Sequence, residues 1–396
     1  MTTDKYDFDR LIDRHGTNAT QIEELEEKFG SRDLLPLWIA DMDFAVAPAI
    51  TQAMQSRVEH PIFGYTYAPD SFWNSITDWL YQKHGWKVSR EEIDYAPGVK
   101  KALGLAVCHF TNPGDKIVIQ PPVYHSFHSV IEGYGRVCLE NQLIKDAGGN
   151  YSMDFEALAD LCKREQPKMM IVCNPHNPVG VQWDADTLNK VVDICAANDM
   201  ILLSDETFGD LVLGGQPHIP VASLSPTAEK ITVTLGAPSK TFNVSGIASA
   251  WVVIKNPELR KGFFDYLLTS EFDTPPVFAV TVTEAAYSKG GAWRNQLLDY
   301  LQANAEFAKA ELEKIPGIKV ALPGAGFSMW VDFSGLGLDQ QQLMDFVTKK
   351  AKVAMNDGVS FGRGGEGFTR MNIGVPRSVL AEGIRRIAAA VADLKR

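Results

Sequence analysis

Residues 168–206 read KMMIVCNPHNPVGVQWDADTLNKVVDICAANDMILLSDE, and this stretch decides the fold. Its two ends, KMMIVCN at 168–174 and MILLSDE at 200–206, are short apolar runs that close in polar residues. Between them, 186–198 carries its apolar residues at helical spacing. Strand, helix and strand, with the strands apolar on both faces, describe neighbours in a parallel sheet covered on each side. Outward from there, KIVIQ at 116–120, ITVTL at 231–235 and WVVIK at 251–255 repeat the strand pattern, and 154–164 repeats the helical one. The predicted class is therefore α/β, with a mostly parallel central sheet in a large domain over 46–290. Beyond about residue 290 the alternation stops. A long amphipathic segment at 293–314 precedes strand candidates at 318–322 and 327–333, a helix at 339–352, a strand reading MNIGV and a closing helix at 378–395. This reads as a smaller α+β domain formed by 291–396 together with 1–45.

The bulk numbers bound the function. The chain has 396 residues, 45% hydrophobic and 22% charged, which suits one large enzyme subunit with a core that needs no staples. A formal net charge of −11 argues against nucleic acid or an anionic membrane as the main partner. The polar N-terminus carries no apolar signal region, and no apolar run is long enough to span a bilayer. The five cysteines are scattered and never spaced C-x-x-C, so neither a disulfide framework nor a metal site is expected, and the thiols read as buried and inert. The expected compartment is the cytoplasm.

In a parallel sheet, ligands sit at the carboxyl ends of the strands. Four features there, or beside it, carry chemistry. Lys240, in Ser239-Lys240-Thr241-Phe242-Asn243 after the ITVTL strand, is placed to form an imine with an aldehyde cofactor. The strand ending Ser204-Asp205-Glu206 offers two acids, of which alternation lets only one face the site. A carboxylate there keeps a pyridine nitrogen protonated. Asn174-Pro175-His176-Asn177-Pro178-Val179-Gly180 makes a fixed turn able to hold Asn177 as a donor to a cofactor oxygen. Arg370 is a candidate for gripping a carboxylate through paired hydrogen bonds, with Arg363 and Arg377 as competitors that periodicity does not rank.

Taken in order, Asn-Pro-x-Asn-Pro-x-Gly, Ser-Asp-Glu, Ser-Lys-Thr-Phe and a late arginine resemble the fold-type I pyridoxal-phosphate enzymes of the aminotransferase class I/II superfamily. Within it the chain resembles C–S lyases of the cystathionine β-lyase (MalY/PatB) type. The further cues are Asp13-Arg14-His15-Gly16-Thr17, Leu37 to Phe44, Phe63-Gly64-Tyr65, Gln216 to Pro220 and Gly374 to Ser378. The resemblance implies pyridoxal 5′-phosphate held covalently by Lys240, which also removes the substrate α-proton. It further implies that Asp205 pairs with the ring nitrogen, Asn177 bonds the 3′-oxygen and Tyr124 stacks on the ring. Gly98, Val99, Lys100 and Ser239 would receive the phosphate, together with Tyr65 of a neighbouring subunit, so that the active unit is a homodimer. Arg370 would clamp the carboxylate of a small amino-acid substrate, with Ile39 and Ala40 on the substrate side. Two departures stand out. Phe208 occupies the position three after Asp205 where these enzymes usually have Tyr or His, and the phosphate-binding arginine common downstream of the lysine in aminotransferases is absent. The expected reaction is α,β-elimination from L-cystathionine, cysteine or related S-substituted amino acids, giving pyruvate, ammonia and a thiol. An aminotransferase is the alternative, and a regulator-binding protein with secondary catalysis is a third reading.

Overall fold

A computed structural model describes residues 5–394; the ends, 1–4 and 395–396, lie outside it, including Lys395 of the expected closing helix. Seven strands form the larger sheet: β1 (Ile93–Ala96), β2 (Lys116–Ile119), β3 (Val137–Glu140), β4 (Met169–Cys173), β5 (Ile201–Asp205), β6 (Thr232–Gly236) and β7 (Ala250–Ile254). Their order is β1-β7-β6-β5-β4-β2-β3. The run from β6 to β3 is parallel throughout, whereas β7 is antiparallel to both of its neighbours. The sheet is therefore α/β and mostly parallel. β1 and β3 are strands that the apolar-run reading missed, because Asp94 interrupts IDYA, VCLE ends in Glu140, and β3 is an edge left partly exposed.

Alternation places the apolar residues of β4 and β5 in two enclosed layers. Met169, Ile171, Cys173 and Leu203 enter one apolar cluster, while Met170, Val172 and Leu202 enter another across the sheet. Helix α1 (Val99–Phe110) supplies Ala102, Leu103, Ala106 and Val107 to the first face. Helix α2 (Ala185–Ala197) supplies Leu188, Val191, Val192 and Cys195 to the second. The Asp184 side chain accepts the Thr187 N–H at 2.7 Å and so fixes where α2 begins. Glycine is obligatory at Gly236, the last residue of β6, since a Cβ there would lie 2.1 Å from the Trp251 ring on β7.

The C-terminal elements follow the second pattern. Helix α4 (Gly291–Leu312) precedes a four-stranded antiparallel sheet of β8 (Lys319–Val320), β9 (Ser328–Asp332), β10 (Asn356–Asp357) and β11 (Phe368–Asn372), and α5 (Arg377–Leu394) closes the chain. α3, the single turn Pro238–Thr241, lies between β6 and β7 of the larger sheet in sequence and carries Lys240. The MNIGV strand expected at the end begins three residues earlier, at Phe368, and the expected 339–352 helix is an α-helical turn continued by a π-helical stretch, Phe346–Lys350. Leu35–Pro36 pairs in parallel with Val353–Ala354, tying the N-terminal segment to this part of the chain. Of the cysteines, Cys162, Cys173 and Cys195 are buried, while Cys108 and Cys138 are only half-buried. No helix among the described residues is long and apolar enough to cross a membrane.

Candidate active site

In the ladder, Cys173 stands opposite Asp205, and Asp205 opposite Leu235, so β4, β5 and β6 end level with one another. The chain leaves them as the Asn174–Gly180 turn, the 205–210 turn and the α3 turn, which brings Asn177, Asp205 and Lys240 to one cavity of about 390 Å³. Its wall also contains Ala40, Gly98, Val99, Lys100, Tyr124, Phe208 and Ser239. Nine of the twelve site residues named from sequence therefore line one space. Arg370 joins it through Asn177, donating from Nη1 to Oδ1 at 3.1 Å. Ile39 and Tyr65 do not line it. Ile39 packs with Trp38 against Leu25 and Leu34, and its carbonyl accepts from Asn372; Tyr65 is fully exposed.

Each group is held in a state suited to a reaction. The Lys240 Nζ donates to the Ala40 carbonyl at 2.5 Å and to the Ser245 Oγ at 3.3 Å. Burial pulls its pKa down to about 8, with Asp41 and Asp205 opposing and Arg370 pushing the same way, so far more of it is free amine near neutrality than of an ordinary lysine. Asp205 is buried, and burial raises its carboxyl above the ordinary range against the hydrogen bonds from Thr207. Both of those bonds, from the Thr207 N–H at 3.1 Å and its hydroxyl at 2.5 Å, go to Oδ1. Oδ2 makes none among the described residues. Glu206 turns the other way and bonds His218, which resolves the choice between the two acids.

Of the three arginines, Arg370 is the buried one, and it has no acidic partner among the described residues. Its Nη2 donates to the Trp38 carbonyl at 3.0 Å and the Asn356 Oδ1 at 2.7 Å, and the guanidinium lies over the Phe361 ring. With Nη1 engaged by Asn177, three of five N–H donors are used and two remain. Burial lowers its pKa to about 10, the mark of a cation that lacks its anion. Arg363 is exposed and paired with Glu140 at 3.0 Å, and Arg377 bonds Asn304 at 2.7 Å.

A second set of residues was missed in sequence. Thr207 orients Asp205, Asn356 orients Arg370, Ser245 touches Lys240, and Asp41, itself bonded to Arg14 at 2.8 Å, biases the lysine's charge. None sits in a pattern that periodicity ranks; only the Asp41-Met42-Asp43 cue was in view. Phe208 lines the cavity and packs on Phe327 with ring centroids 5.6 Å apart, so it presents carbon where a hydroxyl or imidazole would present a donor.

The donor set admits one kind of group. Among the described residues, an Asp205 oxygen without a donor, an Asn177 Nδ2 without an acceptor, an amine of lowered pKa and the N-terminus of α1, where the first-turn N–H groups lack helical partners, are all placed to bind. Gly98, at φ +107°, brings the backbone to this end with nothing within 4 Å of where a Cβ would be. An aldehyde beside an aromatic nitrogen, a hydroxyl and a phosphate satisfies all four. Comparison with known proteins agrees. The family model "Aminotransferase class I and II" matches residues 32–387. Cystathionine beta-lyase PatB of Bacillus subtilis is 41% identical over 97% of this chain and 99% of its own length. Two solved structures superpose with TM-scores of 0.95 over 98% of this chain and 100% of theirs. One is a putative aminotransferase of Clostridium difficile with bound pyridoxal phosphate, 41% identical; the other is cystalysin of Treponema denticola, which contains pyridoxal 5′-phosphate, 31% identical.

Proposed function

The chain belongs to the aminotransferase class I and II family, and from that premise we propose that it is a pyridoxal-phosphate-dependent carbon–sulfur β-lyase acting on L-cystathionine or a related S-substituted amino acid. The cofactor is pyridoxal 5′-phosphate. The observation that carries the proposal is the buried, carboxylate-free Arg370 joined through Asn177 to the cavity that holds Lys240. That arrangement suits a substrate bearing one α-carboxylate beside the proton to be removed.

Asp205 would hold the ring nitrogen, Asn177 would give its Nδ2 to the 3′-oxygen, Tyr124 would stack on the ring, and Ser239 with the first-turn N–H groups of Val99 and Lys100 would receive the phosphate; Gly98 would shape the turn there, its own N–H donating to the Ala96 carbonyl at 2.8 Å. When bound, the cofactor supplies an electron sink for the charge left at the substrate α-carbon. Arg370 fixes the substrate carboxylate, and Ile39 and Ala40 bound that side. Lys240, as free amine, takes the α-proton; the Cβ–S bond breaks with its electron pair on sulfur, and the thiolate leaves. The resulting 2-aminoacrylate tautomerises and hydrolyses to pyruvate and ammonia. Tyr65 reaches the phosphate of a second copy; its full exposure, with Ile62, Phe63 and Tyr67 also exposed, is what an interface segment would show in one chain. The division into a 46–290 domain and a 1–45 plus 291–396 domain belongs to the same reading, with the substrate held between them.

Aminotransfer is the second reading, favoured by the similarity to the putative aminotransferase of Clostridium difficile. It uses the same lysine, aspartate and arginine. Pyruvate formation from L-cystathionine by the wild type, compared with Lys240→Ala and with cofactor-stripped protein, tests the lyase. Pyruvate only from intact, loaded wild type is expected; product appearing only after a 2-oxo acid is added would move the protein to the second reading.

A further inference from the structure

Behind the cavity lie four buried ionisable side chains that the proposed reaction leaves unused. Glu206, the neighbour of Asp205, accepts from the His218 Nε2 at 2.8 Å, the Ser204 hydroxyl at 2.8 Å and the Val221 N–H at 2.9 Å. Asp210 accepts from the Trp79 indole at 2.7 Å, the His84 Nε2 at 3.0 Å and the hydroxyl of Thr241, the neighbour of Lys240, at 3.0 Å. His84 and His218 meet edge to face with centroids 5.2 Å apart, and neither Nδ1 finds a partner among the described residues. All four side chains are at most 10% exposed. The fit is tight: a Cβ on Gly209 would fall 2.8 Å from the His218 ring. Burial works against the Asp210 charge, but the His84 and Trp79 hydrogen bonds and the nearby Arg294 and His84 charges outweigh it and hold its pKa near 2.

A continuous chain of contacts thus runs from the residue after Asp205 to the residue after Lys240. We propose that Glu206, His218, His84 and Asp210 act as one positioning unit, which sets the separation between the Asp205 carboxylate and the Lys240 amine through Thr241. Two carboxyl groups, each holding three donors in a dry interior, resist displacement better than the apolar packing alone around a one-turn helix such as α3. Asp205 and Lys240 must act on the two ends of one small cofactor, so a shift of either turn misplaces both functions at once. The inference rests on the cofactor roles proposed above for those two residues.

Thr241→Val removes one hydroxyl from this chain while keeping its volume. The holoenzyme is titrated by its bound-cofactor visible absorbance, without substrate, and kcat and KM for pyruvate release are measured separately. A shifted absorbance midpoint is expected, with kcat down about tenfold or more and KM little changed. Thr241→Ser restores both. Asp210→Asn moves the midpoint the same way, and the double variant adds nothing, as residues on one path should not. A Thr241→Val midpoint equal to wild type, or effects of the two changes that sum, would overturn the proposal. Because the absorbance is read without substrate, this outcome is separate from failure of the lyase reading, in which wild type releases no pyruvate.

Discussion

Replacing Arg370 with Met should separate activity from stability more cleanly than any other change at the site. Burial takes the guanidinium from its ordinary 12.5 down to about 10. At about 1.4 kcal/mol per pH unit, holding that charge costs the fold roughly 3 kcal/mol. Its three hydrogen bonds, to the Trp38 carbonyl, Asn356 and Asn177, return about 1 kcal/mol each or somewhat more. The two contributions nearly cancel, so a side chain of similar length without charge should leave unfolding free energy within about 2 kcal/mol of wild type. Catalysis has no such cancellation. Two charge-assisted hydrogen bonds to a substrate carboxylate contribute roughly 3–6 kcal/mol together, which puts the expected loss in kcat/KM at about 10²- to 10⁴-fold. Arg370→Lys keeps the charge without the paired geometry and should fall between. Urea unfolding beside initial rates of pyruvate release measures both quantities. A variant with kcat/KM close to wild type, or one whose lost activity merely tracks gross unfolding, would refute the reasoning.

Three further outcomes follow from the same geometry. Borohydride reduction of the holoenzyme should leave the cofactor on the peptide containing Lys240 in wild type and on no peptide in Lys240→Ala, whose turnover should be undetectable; mass spectrometry reads both. The cofactor-free protein should gain stability as pH rises from about 8 towards 10.5, because across that window the unfolded chain still protonates Lys240 while the folded chain does not; denaturant midpoints that fall or stay flat over that range would contradict the buried-amine reading. Gly236→Ala should cost more than 3 kcal/mol or fail to fold, since the added carbon overlaps the Trp251 ring at the base of the Lys240 turn; soluble yield and thermal unfolding test this.

The legible parts of the fold were those where one physical demand governs each position. β4, β5 and β6 are buried on both faces, so their sequences are mostly apolar, with only the small Ser204, Thr232 and Thr234 enclosed among them, and their polar terminators marked the site directly. β1 and β3 were not legible. Asp94 sits within β1 and β3 is half-exposed, so neither shows an unbroken run, and only the ladder with β7 or β2 defines them. Nor could sequence place β7 antiparallel, because WVVI suits either direction. At the site, Lys240, Asp205 and Asn177 could be found because Asp205 ends a strand and the other two lie in the turns that directly follow one. Arg370 could not be ranked over Arg363 and Arg377, since what distinguishes it is burial without a carboxylate, a property of three dimensions. Thr207, Ser245, Asn356 and the Asp210–Thr241 link were invisible for the same reason: small polar residues become informative only when their partners are known.

The most direct test of the account is the stoichiometry of pyruvate and free thiol released from L-cystathionine by the holoenzyme with no 2-oxo acid present. Elimination regenerates the enzyme at each cycle, so the account predicts equal amounts of the two products over many turnovers per site. A reaction that halts after a single turnover per site and resumes only when a 2-oxo acid is added would contradict it.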